Sequence, residues 1–349
     1  MEAFDPDAPI TNGKLFGLPH TRNEAQVVVV GVPFDATSSN GVGSSAGPAA
    51  IRAASAQTDL FDRRFGAVWQ RGVHMLEIED EIVRLTADTR KLTAPIIEKG
   101  GPGEHDCAAI DRIDKACERV EAFVHDHVRS ILDEDKIPAV LGGEHSVSLG
   151  AIRACAEARG PIGVLQIDAH MDLRESYLGM RYSHASVMYN VMTSLPMVTK
   201  LWLVGVRDYC EGESVLVDQL NRESPGRVEV FYDDDIADHL AEGESWSTLC
   251  RRIVTALPER VYVTVDIDGL DPSLCPNTGT PVPGGLSWAQ LSLLFDELHR
   301  SRSRVVGFDL VEVSPGDDDS GGSGGRGGEW DANVGARVLY RMCGAAMSH

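Results

Sequence analysis

An α/β fold built on one mostly parallel sheet, covered by helices on both faces, is what this sequence predicts. Three observations lead there. Short runs rich in β-branched residues alternate with longer stretches of helical spacing along nearly the whole chain, the pattern of parallel strands joined by crossover helices. Several of the runs are apolar at every position rather than at alternate ones, as strands buried on both faces are. With 349 residues, of which 43% are hydrophobic and 6% aromatic, the chain has enough apolar material to cover such a sheet as one large domain.

The elements follow in order. Residues 1–25 read as an irregular N-terminal extension. Their opening, MEAFDPDAPITNGKLFG, is acidic and lacks the apolar segment of a secretory signal. Residues 26–349 read as one domain. Its strands are QVVVVGV (26–32), IPAVLGG (137–143), PIGVLQID (161–168), KLWLVGV (200–206), RVEVFY (227–232), RVYVTVDID (260–268) and RVVGFDLVEV (304–313). Helical spacing or composition marks 108–132, 147–158, 183–194, 245–256, 287–300 and 331–343. Three loops stand out. DATSSNGVGSSAGP (35–48) follows the first strand, DPSLCPNTGTPVPGG (271–285) is rich in Pro and Gly, and PGDDDSGGSGGRGG (315–328) has the composition of a flexible linker. Loops of this kind in a compact domain are mobile or functional. No internal repeat and no domain boundary shows.

Composition excludes several classes. The net charge is −21, which disfavours nucleic acid and anionic membranes as partners and draws in small cations. No 18-residue apolar run exists, so no transmembrane helix is expected. The seven cysteines are widely spaced, odd in number and free of any CxxC. They read as small buried hydrophobes in a reducing, cytoplasmic setting.

In open parallel sheets functional side chains gather at the C-terminal ends of strands, and four strand ends here carry acids or histidines. LGGEHS brings Glu144 and His145. QIDAHMD brings Asp168, His170 and Asp172. VTVDIDGLD brings Asp266 and Asp268, and FDLVEVSP brings Asp309 and Glu312. Period-two alternation lets Asp168, His170 and Asp172 share a side while the chain stays extended, and Asp266 and Asp268 likewise. Taken singly, each piece has a bland reading. A DxD is common, Asp-Gly suits a turn, and GGEHS suits a helix cap at Ser146. Taken together, crowded aspartates repel and their pKa values rise, which divalent cations relieve. Six ligands suit one six-coordinate ion or two ions bridged by shared carboxylates. Oxygen and imidazole donors without thiolate favour Mn²⁺, Fe²⁺, Ni²⁺ or Zn²⁺ over Ca²⁺. Paired metals hold a hydroxide as nucleophile.

GGEHS, DAHMD, SHAS and VDIDGLDPS, followed by GFDLVEVSP, resemble the ureohydrolase family of arginases, agmatinases and formiminoglutamases, from about residue 26 to the C-terminus. The resemblance implies a three-layer α/β/α sandwich and hydrolysis of a guanidino group at a dimanganese or dinickel centre. It implies that His145, Asp168, Asp172 and Asp266 surround one metal and Asp168, His170, Asp266 and Asp268 the other, with Asp168 and Asp266 bridging. Glu312 matches the acidic residue that holds the guanidinium, and His184 in YSHAS matches a histidine that passes a proton to the leaving amine. At the position read as the arginases' carboxylate-holding asparagine stands Leu173, so arginine and formiminoglutamate are not expected as substrates.

The N-terminal half narrows the resemblance. LFGLP, VPFDATSSNGVGSSAGPAAI, AQTDLFD, QRGVHMLEI and VGVRDYCEGE are similar to an agmatinase-like branch that includes guanidine hydrolase and hydrolases of alkylguanidines and biguanides such as metformin. This branch implies Ni²⁺ alongside Mn²⁺, a small cationic guanidino substrate, and loop 35–48 over the active site. That loop departs from the guanidine hydrolases, where a tyrosine and fewer serines are expected. Agmatinase or guanidinobutyrase activity is the alternative, and a catalytically silent subunit of a mixed complex a further one. The family implies a homo-oligomer, trimer or hexamer, or a mixed assembly with a paralogous subunit. Leu173, Tyr177, Met180, Arg181, Trp288 and Cys275 are candidate pocket residues.

Overall fold

The computed structural model describes residues 4–316 and 327–347. Eight parallel strands form one sheet: β1 (Val27–Val32), β2 (Val73–Met75), β3 (Ile137–Gly142), β4 (Ile162–Ile167), β5 (Val198–Val206), β6 (Val228–Tyr232), β7 (Arg260–Asp266) and β8 (Arg304–Val311). Their spatial order is β2-β1-β3-β8-β7-β4-β5-β6. The helices are α1 (Gly47–Ala54), α2 (Asp80–Glu98), α3 (Cys107–Asp133), α4 (Ser148–Arg159), α5 (Val187–Ser194), α6 (Glu211–Glu223), α7 (Asp233–Ala241), α8 (Trp246–Ala256), α9 (Trp288–Arg300) and α10 (Gly327–Ala346).

The alternation of β1 shows why the sheet needs both layers. Val27 and Val29 pack into a cluster with Leu291, Leu294 and Phe295 of α9 and Val338 and Leu339 of α10. Val28, Val30 and Val32 pack on the other face with Val120, Val124 and Val128 of α3 and Ile152 of α4. All five valines are at most 2% exposed, as continuous apolar strands require. The expected three-layer α/β/α sandwich is therefore present. Among the described residues no helix is long and apolar enough to cross a membrane. Five of the seven cysteines are buried, and only Cys107 is exposed.

All seven expected strands are present. The eighth, β2, is three residues long and pairs only with β1, too short to leave a periodic signal. Four helices escape the apolar pattern for identifiable reasons. In α2 the buried face is Ile82, Thr86, Thr89, Thr93 and Ile96. This is helical spacing written largely in threonine. Buried positions are few in α6 (Glu213 and Leu220) and α7 (Ile236), so neither presents an apolar stripe. Helix α1 opens with Gly-Pro, which reads as loop until Pro is recognised at a helix start. The N-terminal extension is more ordered than expected. Leu15, Phe16 and Leu18 are at most 3% exposed, and the Phe16 ring meets Tyr340 of α10 edge-on at 4.9 Å. Most of loop 315–328, residues 317–326, lies outside the described residues.

Candidate metal centre

Strands β3, β8, β7 and β4 are neighbours at the middle of the sheet, and their C-terminal ends converge. At the ends of β4 and β7 a carboxylate oxygen captures the backbone amide two residues on, an Asx-type turn. Asp168 Oδ1 accepts from His170 N at 2.6 Å, and Asp266 Oδ1 accepts from Asp268 N at 2.9 Å. The two turns are tied together, because Ala169 N donates to Asp268 Oδ1 at 3.1 Å. They also run so close that a Cβ at Gly269 would stand 2.6 Å from Asp168 N, so only glycine fits there. Asp172 and Glu312 adopt left-handed backbone conformations, with φ of 54° and 60°, the local strain that clusters at functional sites.

His145 sits in a 3₁₀ turn after β3. Its Nδ1 is 3.0 Å from Asp168 Oδ2, 3.0 Å from Asp172 Oδ2 and 3.5 Å from Asp266 Oδ2. His170 Nδ1 is 3.2 Å from Asp268 Oδ2 and 3.5 Å from Asp168 Oδ1. Two ligand groups result, His145 with Asp168 and Asp266, and Asp168 with His170 and Asp268, each with its donor atoms within 4.8 Å of one another. Asp168 belongs to both. All six sequence-predicted ligands are thus brought together.

The donor set fits divalent cations. His145 Nε2–H donates to Thr264 Oγ1 at 2.8 Å, and the Thr264 hydroxyl donates to Asp309 Oδ1 at 2.6 Å. This fixes the tautomer that aims the Nδ1 lone pair at the carboxylates. That nitrogen is buried and makes no hydrogen bond of acceptable geometry, as expected of a ligand atom. The charge balance agrees. Burial opposes a charge on His170, yet the Asp168 and Asp268 carboxylates push its pKa up to about 12. Burial and the neighbouring Asp168 push Asp172 up to about 7. Burial, then Asp268 and Asp168, drive Asp266 well above the carboxylate range. Without a cation the cluster holds protons in its place.

Glu312 stands behind the cluster. Its Oε1 accepts from His145 N at 3.0 Å, and burial with the adjacent Glu144 drives its pKa well up. His184 opens a 3₁₀ turn ahead of α5. Its amide donates to Thr37 Oγ1 at 3.1 Å and its Nε2 lies 3.4 Å from Ser39 Oγ. Burial, reinforced by the His170 charge, lowers its pKa to about 4, so the imidazole is neutral at pH 7.

A cavity of about 150 Å³ lies over the cluster. It is lined by His170, Asp172, His184, Ser39, Tyr177, Ala185, Thr280 and the buried Glu213, and Arg174 and Asp208, with side chains 36% and 69% exposed, stand at its mouth. Glu312 is not part of this lining. Ser39 puts loop 35–48 over the site, as expected. Of the candidate pocket residues only Tyr177 lines the cavity. Leu173, expected at a substrate-binding position, is 2% exposed and its side chain belongs to the core. The next residue, Arg174, faces the cavity instead. Met180 and Cys275 are fully buried, Arg181 pairs with Asp114 at 2.8 Å, and Trp288 lies under Arg341 on the far helical layer.

Thr264 and Gln166 escaped the sequence reading, and Glu144 was named there as a strand-end acid without a role. Glu144, wholly buried, accepts from Thr37 N at 2.7 Å, Thr37 Oγ1 at 2.6 Å and Ser146 Oγ at 2.6 Å. It ties loop 35–48 to the metal turn, and burial raises its pKa to about 7. Thr264 and Gln166 precede ligands by two residues on their strands, and Gln166 Nε2 donates to Asp168 Oδ2 at 2.7 Å. A polar residue at period two inside an otherwise apolar strand was the available signal.

Comparison with known proteins agrees with this geometry. A family model described as the Arginase family matches residues 25–344. N(1)-aminopropylagmatine ureohydrolase of Thermus thermophilus is 33% identical over 294 residues, 84% of this chain and 84% of that protein. Agmatinase of Pyrococcus horikoshii is 29% identical over 344 residues, 98% of this chain and 96% of that protein. Among solved structures, agmatine ureohydrolase of Thermoplasma volcanium superposes with a TM-score of 0.70 at 26% identity, covering 97% of this chain and 95% of that one. The Trypanosoma cruzi formiminoglutamase structure with Mn²⁺ shares the fold at a TM-score of 0.71 and 15% identity, over 96% of this chain and 99% of that one. A match that spans nearly the whole domain places the chain in the arginase family, as a ureohydrolase acting on guanidino carbon–nitrogen bonds.

Proposed function

We propose that the protein hydrolyses a small guanidine-type compound, such as free guanidine, an alkylguanidine or a biguanide like metformin. The products are urea or a substituted urea and ammonia or an amine. One observation carries the reading: the gathered ligand set lies under a cavity of only about 150 Å³, room for a small substrate. Two divalent ions, Ni²⁺ or Mn²⁺, would be held by His145, Asp168, Asp172 and Asp266 on one side and by Asp168, His170, Asp266 and Asp268 on the other. Bound there, they would supply Lewis acidity and a water activated near neutral pH.

The chain's own groups do the rest. Guanidinium is resonance-stabilised and resists attack, so it must be fixed in place. Glu312, which stands behind the cluster and outside the cavity lining, would reach the cation by charge-assisted contact only once it gives up the proton that burial and Glu144 favour. Neutral His184 takes up a proton and hands it to the departing nitrogen. Tyr177 and Ser39 pack beside it and limit water. Agmatine, suggested by the names of the relatives, and guanidinobutyrate form the second reading. A catalytically silent subunit is disfavoured, because all six ligand positions are filled.

We also propose a cytoplasmic homo-oligomer, trimeric or hexameric, or a mixed assembly with a paralogue; light scattering of the purified protein reads its size. The test of function is release of urea or a substituted urea, with the ammonia or amine, after separate reloading with Mn²⁺ and Ni²⁺, on guanidine, dimethylguanidine, metformin, agmatine and guanidinobutyrate. Turnover of the first three is expected. Turnover of agmatine or guanidinobutyrate alone would overturn the small-guanidine reading.

A further inference from the structure

Resting on the ureohydrolase reading, we infer that Arg174 selects against substrates with a second positive charge, confining the protein to guanidines whose substituent is neutral or anionic. Arg174 stands at the mouth of the cavity lined by His170, Asp172 and His184. Its guanidinium carbon lies 5.1 Å from the Tyr177 ring centre, and that ring meets His184 edge-on at 5.8 Å. The cation is therefore held one aromatic ring away from the proposed proton carrier.

An amine tail trailing from a bound guanidinium would pass this mouth and need an unengaged carboxylate there. Besides Asp172, two acids line the cavity. Glu213 is 3% exposed and already engaged. Its Oε1 accepts from Leu173 N at 3.0 Å, and its Oε2 accepts from Cys210 N at 2.9 Å and faces Arg174 Nε at 3.7 Å. Asp208 has a side chain 69% exposed and stands 4.0 Å from His170 Nε2, where solvent screens it. A cationic tail thus meets a fixed cation and a screened anion. A methyl group meets no like charge, and a carboxylate meets the Arg174 cation together with an Asp208 that solvent screens. Specificity of this kind comes from a repulsive element rather than from a better fit.

The experiment compares kcat/KM for agmatine with kcat/KM for methylguanidine in metal-loaded wild type, Arg174→Gln and Arg174→Lys. The wild type is expected to favour methylguanidine. In Arg174→Gln the agmatine-to-methylguanidine ratio should rise about tenfold or more, the scale of a like-charge contact at a partly exposed wall. Arg174→Lys keeps the charge and should keep the ratio low. The inference is overturned if urea is released but the ratio is unchanged in Arg174→Gln, if Lys raises it as much as Gln does, or if the wild type favours agmatine. No hydrolysis of either substrate by any of the three proteins would overturn the inference, and no hydrolysis of guanidine, metformin and guanidinobutyrate as well would overturn the ureohydrolase reading with it.

Discussion

Replacing Thr264 by valine tests the metal centre without touching a ligand. The shapes match closely, so no cavity is created, and only the hydroxyl is lost. That hydroxyl accepts from His145 Nε2 at 2.8 Å and donates to Asp309 at 2.6 Å. All three residues are at most 1% exposed, so water cannot replace it. The orphaned Nε2–H costs about 1–3 kcal/mol. Asp309 keeps the Tyr262 hydroxyl at 2.7 Å and suffers less. The His145 ring also loses the contact that fixes its tautomer. Loss of such an outer partner weakens metal binding by roughly 10–100-fold. Chelator competition on wild type and variant measures the affinity, and thermal melts with and without metal measure stability. The expected result is weaker metal binding and a smaller metal-induced rise in Tm. Unchanged affinity together with a lowered metal-free Tm would refute the reasoning, because Thr264 would then merely support the fold.

Three further outcomes are expected. Asp268→Ala should lose both metal and activity, read by elemental analysis and urea release. Glu312→Ala should keep its metal and lose guanidine turnover; urea release equal to wild type would remove Glu312 as the cation holder. Metal binding should release protons, since His170, with its pKa pushed up to about 12, and Asp172, pushed to about 7, hold protons in the metal-free cluster. Protons and metal compete, so apparent affinity rises with pH and falls on acidification. Titration calorimetry in buffers of different ionisation enthalpy reads this directly, and identical heats in all buffers would contradict it.

The sheet was legible because its strands are apolar on both faces, and the ligands because polar residues end those strands at period two. Asp168, His170 and Asp172 form a pattern that needs no contact map. Glu144 was harder to assign. It stands in the same motif as His145, but its partner Thr37 lies more than a hundred residues away, and only the fold joins them. Leu173 and Arg174 show a finer limit. Leu173 was named from the family resemblance, and the left-handed backbone at Asp172 precedes a Leu173 that is buried in the core while Arg174 lines the cavity. Helices α6 and α7 were invisible because they bury almost nothing.

Strand order carries a consequence for how the protein matures. His145 follows β3, and its partners follow β4 and β7, yet β8, the last strand made, lies between β3 and β7. Until Arg304–Val311 has slotted into the middle of the sheet, His145 cannot stand beside the aspartates. The complete metal site therefore does not exist in any partly synthesised chain. A metal held there would join the ends of β3, β4 and β7, with β8 already seated between β3 and β7. Without the ion, the same strand ends would meet across a centre of crowded carboxylates that holds protons instead.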